Sequence, residues 1–214
     1  MPGDHDHEHA GLTRQELSAD PIDQFRKWFS EAGEVSDMPE AMTLATVDES
    51  GAPDARMVLM KGVDPDGFRF FTNYGGVKAS QLETTPKAAL VFHWPELDRQ
   101  VRIRGAVEVL DPEESDRYFA TRGRLSQVGA WASPQSQPLR DDRVFLDELS
   151  SAAEKRFQDQ EVIPRPEHWG GYLLTPEKIE FWQGRDGRLH DRFLYWRETV
   201  GDNGALWQVT RLAP

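Results

Sequence analysis

The apolar positions of this chain change period along its length. Ile22, Phe25, Trp28 and Phe29 recur at helical spacing behind Asp20-Pro21, an N-cap followed by a proline at the first helical position, so a helix is predicted there. From about residue 41 to 109 the period shortens to two. Residues 41–47 and 56–61 flank turn residues at 49–53 and read as a hairpin. Asp64-Pro65-Asp66-Gly67 is a second turn, with a strand at 68–72 behind it. A short helix at 77–83 precedes strands at 88–94 and 100–110. In the last of these Val101, Ile103, Val107 and Val109 alternate with Arg102, Arg104 and Glu108, the pattern of a half-buried strand. Asp111-Pro112-Glu113-Glu114 opens a helix reaching about Arg122, and residues 141–158 carry another, with a loop over 132–139 between them. Strands return at 172–175, 178–183, 189–196 and 206–211. Many short strands in hairpins with few interleaved helices predict a mainly β fold with peripheral helices, an antiparallel barrel and not a doubly wound parallel sheet. Residues 1–18 are polar and read as a flexible tail, leaving 19–214 as one domain. His5, His7 and His9 alternate with acids in that tail, and no later cluster completes a metal site with them.

Charge and composition narrow the partners. The chain has 214 residues, 37 acidic against 25 basic, for a net charge of −12. That balance argues against nucleic acid, which is usually met by a basic face. With no cysteine, disulfides and thiolate chemistry are excluded. No apolar run reaches the ~18–20 residues that span a bilayer, and the N-terminus lacks the basic and apolar regions of a signal peptide. The expectation is a cytoplasmic protein with neither membrane nor nucleic-acid partners.

Chemistry concentrates in a few runs. Between residues 179 and 192 lie Glu180, Trp182, Arg188, His190, Asp191 and Arg192. Aromatics stack on flat heterocycles, and arginine offers phosphate a planar fork of donors. Arg188, His190 and Arg192 are spaced by two and would share one face of a strand, either solvated or aimed at an anionic or polar ligand. In Arg56-Met57-Val58-Leu59-Met60-Lys61 the alternation puts Arg56 and Lys61 on opposite faces. Tyr118, Arg122 and Ser126 follow at i, i+4 and i+8. Gly123 ends the helix, so Ser126 falls on the following turn. The three could converge on a phosphate monoester or simply finish a helix. Phe71-Thr72-Asn73 leads to Lys78 past Gly75-Gly76, where a helix N-terminus offers backbone donors. Gln100 and the pair Gln135-Ser136 say nothing alone.

Together and in this order, these motifs resemble those of the pyridoxamine (pyridoxine) 5′-phosphate oxidase family over roughly residues 19–214. The resemblance implies a split β-barrel homodimer that binds flavin mononucleotide (FMN) at the subunit interface. It implies oxidation of pyridoxamine and pyridoxine 5′-phosphates to pyridoxal 5′-phosphate, with O2 as acceptor and H2O2 as product. By the same resemblance, Arg56, Met57, Val58, Leu59, Lys61, Phe71, Thr72, Lys78, Gln100, Gln135, Ser136, Trp182 and Arg192 hold the flavin, with Gln135-Ser136 reaching it from the second subunit. Lys61, Tyr118, Arg122 and Ser126 hold the substrate phosphate. Arg188 and His190 meet the pyridine and carry the catalytic role. The chain departs from the family pattern at Phe71, where a Tyr is usual, and at Val77, where an Arg is usual, which implies weaker or rearranged flavin binding. The family's N-terminal Arg-x-x-Tyr segment has no match here. Two other readings stay open: a split-barrel flavin oxidoreductase acting on another substrate, and a non-catalytic binder of pyridoxal phosphate or flavin.

Overall fold

The carboxylate of Asp20 accepts the Ile22 N–H at 2.7 Å and Pro21 occupies the first turn, so helix α1 (Pro21–Ala32) starts where its cap predicts. Ile22, Phe25, Trp28 and Ala32 form its buried stripe. Phe25 meets Phe68 and Phe92 edge-on, each at 4.9 Å between ring centres, which ties the helix to the barrel interior. The computed structural model describes residues 11–139, 144–199 and 205–214.

The strands are β1 (Ala41–Val47), β2 (Pro53–Asp64), β3 (Gly67–Asn73), β4 (Lys87–Trp94), β5 (Arg99–Val109), β6 (Trp169–Gln183), β7 (Asp191–Thr199) and β8 (Ala205–Leu212). They pair antiparallel in the order β3-β2-β1-β4-β5-β6-β7-β8, and a further pairing of β3 with β6 closes six of them into a barrel. Between β3 and β4 lies α2 (Val77–Thr84), and between β5 and β6 lie α3 (Pro112–Ala120), α4 (Arg124–Ala132) and α5 (Val144–Phe157). The mainly β architecture with peripheral helices is therefore the one that the hydrophobic pattern predicts. Residues 172–175 and 178–183 belong to one strand and not two. The first half of β6 pairs with β3 and its second half with β7, so this single strand carries both the closure and the extension. A register shift at Arg104/Gly105 lets β5 follow it past Pro176.

Three expectations need correction. Residues 11–18 are not a loose tail. Leu12 is buried and its N–H donates to Asp191 Oδ2 at 3.1 Å, while Arg14 donates to the Val209 carbonyl and the Tyr195 hydroxyl to that of Ser18. Burial of apolar Leu12 in the core, with these hydrogen bonds, holds the segment against β7 and β8. The loop expected over 132–139 is present from residue 133, and what the pattern did not predict is α4, which fills residues 124–132 ahead of it. Finally, β7 starts at Asp191, so the predicted strand start at 189 lies in the preceding turn. Residues 1–10, with His5, His7 and His9, lie outside the described residues, as does the expected helix start at Asp141.

The bulge makes a sharp prediction. A Cβ on Gly105 would sit 1.9 Å from the Thr175 carbonyl oxygen, whereas one on Gly129, inside α4, would meet nothing within 4 Å. Gly105→Ala should lower stability by about 2–3 kcal/mol or more, and Gly129→Ala should raise it by about 0.5–1 kcal/mol, read as opposite shifts of Tm.

Candidate active site

β2 and β3 pair only from Met60 onward in β2 and up to Phe70 in β3. Residues 53–59 of β2 pair with β1 alone, and residues 71–73 of β3 with β6 alone. The barrel wall is thus split, and a cavity of about 580 Å³ occupies the gap. Because one edge of β2 is open there, Arg56, Met57, Val58 and Leu59 all line it, regardless of which way their side chains alternate. Lys61 lines it too, beside the register shift between Met60 and Gly62. Arg56 and Lys61, expected on opposite faces, therefore border one cavity, since a split edge and a bulge override simple alternation.

The opposite wall comes from β3, α2 and the helices. Lys78 Nζ donates to Gln135 Oε1 at 2.8 Å and to Thr72 Oγ1 at 3.2 Å. Burial, and secondarily the positive charge of Arg56, pushes its ammonium below the ordinary lysine range. Gln135 makes these contacts within its own chain and lines the same cavity. Ser136 takes a left-handed backbone (φ 65°) and lies beside Gly76, where its Oγ would be 3.4 Å from an added Cβ. Gly76 caps α2 with no side-chain partner for the helix N–H groups.

Tyr118, Arg122 and Ser126 do meet at the cavity, but from two helices. α3 ends at Ala120, Arg122 stands in the connection, and Ser126 lies in the first turn of α4 behind Gly123 as N-cap. Phe71 stacks on Tyr118 at 4.0 Å and on Trp169 at 5.5 Å. The Arg122 guanidinium lies over the Trp169 ring at 4.6 Å. Its Nη1 is buried and has no hydrogen-bond partner among the described residues, and burial lowers its pKa from the usual arginine value against the opposing pull of Tyr118. Burial likewise raises the Tyr118 phenol, with Arg122 opposing. Elsewhere the half-buried arginines have carboxylates: Arg69 has Asp64 and Glu114, Arg99 has Glu31, and Arg165 has Asp116. Neither Arg122 nor Lys78 has one among the described residues. An anion fits where the protein supplies none.

The other predicted residues form a separate group. Cross-strand register aligns Gln100 with Trp182 and Trp182 with Arg192, so the three share the outer face of β5, β6 and β7. Val101, Phe181 and Phe193 occupy the inner face. Arg192 is held by Glu180 (Nε to Oε1, 2.8 Å), which also pairs with Arg102 at 3.2 Å. Arg188 does not share a strand face with Arg192. It sits in the short turn Asp186–Arg188 with φ 61°, next to Gly187 at φ 65°. His190 precedes β7 and leans on Trp182 with ring centres 4.6 Å apart. None of Gln100, Trp182, Arg188, His190 and Arg192 lines the β2–β3 cavity.

Two family models match the chain: pyridoxamine 5′-phosphate oxidase over residues 30–156, and the pyridoxine 5′-phosphate oxidase C-terminal dimerisation region over residues 169–214. The chain belongs to the pyridoxamine 5′-phosphate oxidase family. It is 51% identical to the pyridoxine/pyridoxamine 5′-phosphate oxidase of Salinibacter ruber, over 96% of this chain and 94% of that protein. With the enzyme of the same name from Burkholderia lata it shares 50% identity, over 96% and 94%. Among solved structures it resembles PhzG of Burkholderia lata, in complex with tetrahydrophenazine-1-carboxylic acid (28% identity, TM-score 0.85, 95% of this chain and 98% of that one). A pyridoxamine 5′-phosphate oxidase-related, FMN binding protein of Nostoc punctiforme shares the fold (18% identity, TM-score 0.71, 92% and 100% covered). Split-barrel architecture and oxidoreductase class follow from this membership.

Seen as a member of this family, the chain has residues at the cavity that sequence reasoning missed. Trp169 builds the aromatic wall, and only its place at the head of a strand could have signalled it. Behind the cavity lining, Thr46, Asp54 and Gln81 all bond Arg56, so its guanidinium is already engaged. That network links three separate elements and leaves no local motif. The unpartnered guanidinium predicts an anion effect. Inorganic phosphate should raise the Tm of the FMN-loaded protein, in which the Lys78 side of the cavity is occupied, and Arg122→Met should abolish that rise without lowering the Tm measured in its absence. A phosphate response that survives in Arg122→Met would contradict the assignment.

Proposed function

We propose that this chain is an FMN-dependent oxidase, working as a cytoplasmic, single-domain homodimer. In this reading it oxidises pyridoxamine 5′-phosphate and pyridoxine 5′-phosphate to pyridoxal 5′-phosphate, with O2 as acceptor and H2O2 as by-product. The observation that carries the reading is the buried, unpartnered Nη1 of Arg122 in a cavity shared with Lys61, Tyr118 and Ser126. A phosphate monoester offers that site several acceptor oxygens, and the planar guanidinium suits them.

The residues also fit FMN. Lys78 is a desolvated cation with neutral partners, α2 offers uncapped N–H groups at Gly76, and the open edge of β2 presents backbone donors and acceptors to a flat ring. Arg56, Met57, Val58, Leu59, Lys61, Phe71, Thr72, Lys78, Gln135 and Ser136 would hold it from one subunit. Gln100, Trp182 and Arg192 would hold it from the other. Their placement away from the cavity, together with the match to a dimerisation region over residues 169–214, supports a site completed by two chains. Bound FMN supplies a two-electron acceptor that dioxygen can regenerate.

The chain's own task is positioning. Lys61, Tyr118, Arg122 and Ser126 anchor the substrate phosphate, and that remote binding energy aligns the carbon to be oxidised. Arg188 and His190 take the pyridine end. With the amine substrate, water completes the reaction by hydrolysing the oxidised carbon–nitrogen bond to aldehyde and ammonia. Phe71 donates no hydroxyl, and its stack on Tyr118 and Trp169 gives it a different use, fixing the phenol at the phosphate site.

The test is an aerobic assay of FMN-reconstituted protein with pyridoxamine 5′-phosphate, following aldehyde and peroxide together. Equal amounts of both are expected. Bound flavin with neither product would overturn the substrate, and turnover of tetrahydrophenazine-1-carboxylic acid in its place would favour the activity suggested by the PhzG relative's ligand. Arg188→Ala is expected to cut kcat/KM by about tenfold or more while flavin content stays at the wild-type level. Equal activity in that variant would remove Arg188 from the site.

A further inference from the structure

Four cations line the split cavity, Arg56, Lys61, Lys78 and Arg122, and among the described residues only Arg56 has a carboxylate partner. Alternation puts Asp54 and Arg56 on one face of β2, opposite Thr46 and Leu44 of β1. Asp54 Oδ2 accepts Arg56 Nη2 at 2.5 Å. The buried Gln81 of α2 completes a ring around the guanidinium. Its Oε1 accepts Arg56 Nη2 at 3.0 Å and the Thr46 hydroxyl at 2.5 Å, and its Nε2 donates to Asp54 Oδ2 at 3.3 Å. Arg56 Nη1 donates to Thr46 Oγ1 at 2.5 Å and to the Leu44 carbonyl at 3.2 Å. Both Nη groups are thus fully engaged, and Nε–H alone has no partner among the described residues. The hydrogen bond from Gln81, and then the charge of Arg56, hold the Asp54 carboxyl below its usual range, so it stays ionised at neutral pH. Neither Asp54 nor Gln81 lines the cavity. The other three acceptors of Arg56 are neutral, so without the carboxylate they would still fix the guanidinium, and its whole positive charge would face the cavity. That charge already reaches Lys78, where it adds to burial in depressing the ammonium. An anion that meets Lys78 therefore lies in the field of Arg56 as well.

We infer that Gln81 and Asp54 set the affinity of this cavity for the flavin phosphate with opposite signs, acting through Arg56. Gln81 is a positioning residue that holds the guanidinium in place, and Asp54 offsets part of its charge and so weakens the hold on the phosphate. The inference rests on the proposed oxidase reading, in which the FMN phosphate lies by Lys78 and the N-terminus of α2. Val77, the first residue of α2, brings no charge to make up for the share that Asp54 offsets. The Gln81 amide is not interchangeable with its flipped form: its NH2 would then face the Arg56 donor, and its oxygen the Asp54 carboxylate.

Titration of the full-length, flavin-free protein with FMN and with riboflavin, which carries the same ring and no phosphate, tests this. Asp54→Asn should tighten FMN binding by about threefold or more and leave riboflavin binding unchanged. Gln81→Met should weaken FMN binding by about tenfold and again leave riboflavin unchanged, a separation that general damage to the fold would not produce. In an Arg56→Met background neither second substitution should change FMN binding, because both act through the guanidinium. Unchanged or weaker FMN binding in Asp54→Asn, equal losses of FMN and riboflavin in Gln81→Met, or effects that persist in Arg56→Met would each overturn the inference and leave the oxidase reading standing. Wild-type protein that binds FMN no better than riboflavin would remove the phosphate from this end of the cavity, and the FMN part of the oxidase reading would fall together with the inference.

Discussion

Neighbouring strands of a closed barrel cannot stop pairing without leaving backbone N–H and C=O groups in search of polar partners. Here β2 and β3 separate beyond Met60 and Phe70 while each keeps its other neighbour. The barrel tolerates the gap because the pairing of β3 with β6 holds the ring shut below it. An open strand edge on one wall and the helices between β5 and β6 on the other leave room for a ligand. In the proposed function, cofactor and substrate binding both depend on this one interruption.

The electrostatics follow the same logic. A net charge of −12 gives the chain ample carboxylates, and it spends them on the arginines that brace the fold. Arg69, Arg99 and Arg165 are each neutralised across elements. At the split, Lys78 and Arg122 are desolvated and meet only amide, hydroxyl or aromatic groups. Such an arrangement is costly when empty and favourable when an anion enters, which is the signature of a binding site and not of a brace.

Much of this was legible in the sequence because it is local. The Asp20-Pro21 cap, the alternation in β5 and the Asp64–Gly67 turn are set by neighbouring residues. The motif order was enough to identify the family. What could not be read is long-range. Pro176 suggests a break, yet β6 runs through it because β6 bulges at Glu177, beside the proline, and so keeps its pairing with Arg104 and Gly105 of β5. Asp186-Gly187 is a turn dipeptide, but the spacing of Arg188, His190 and Arg192 imitates a strand, and only the positive φ values at 187 and 188 show otherwise. Leu12 joins the core from a segment whose composition is polar. Arg56 looks free in the sequence and is already bonded to Thr46, Gln81 and Asp54 in the fold.

The account stands on a site assembled from two chains, with the split cavity of one completed by the outer face of β5–β7 from the other. Subunit complementation tests this most directly. Arg122→Met disables the first half and Arg192→Met the second, and the two inactive variants are unfolded together, refolded as a mixture and assayed with FMN. If the halves come from different chains, mixed dimers contain one intact site, and the mixture recovers about a quarter of the wild-type rate. If both halves belong to one chain, every site carries a lesion, and no recovery on mixing would contradict the account.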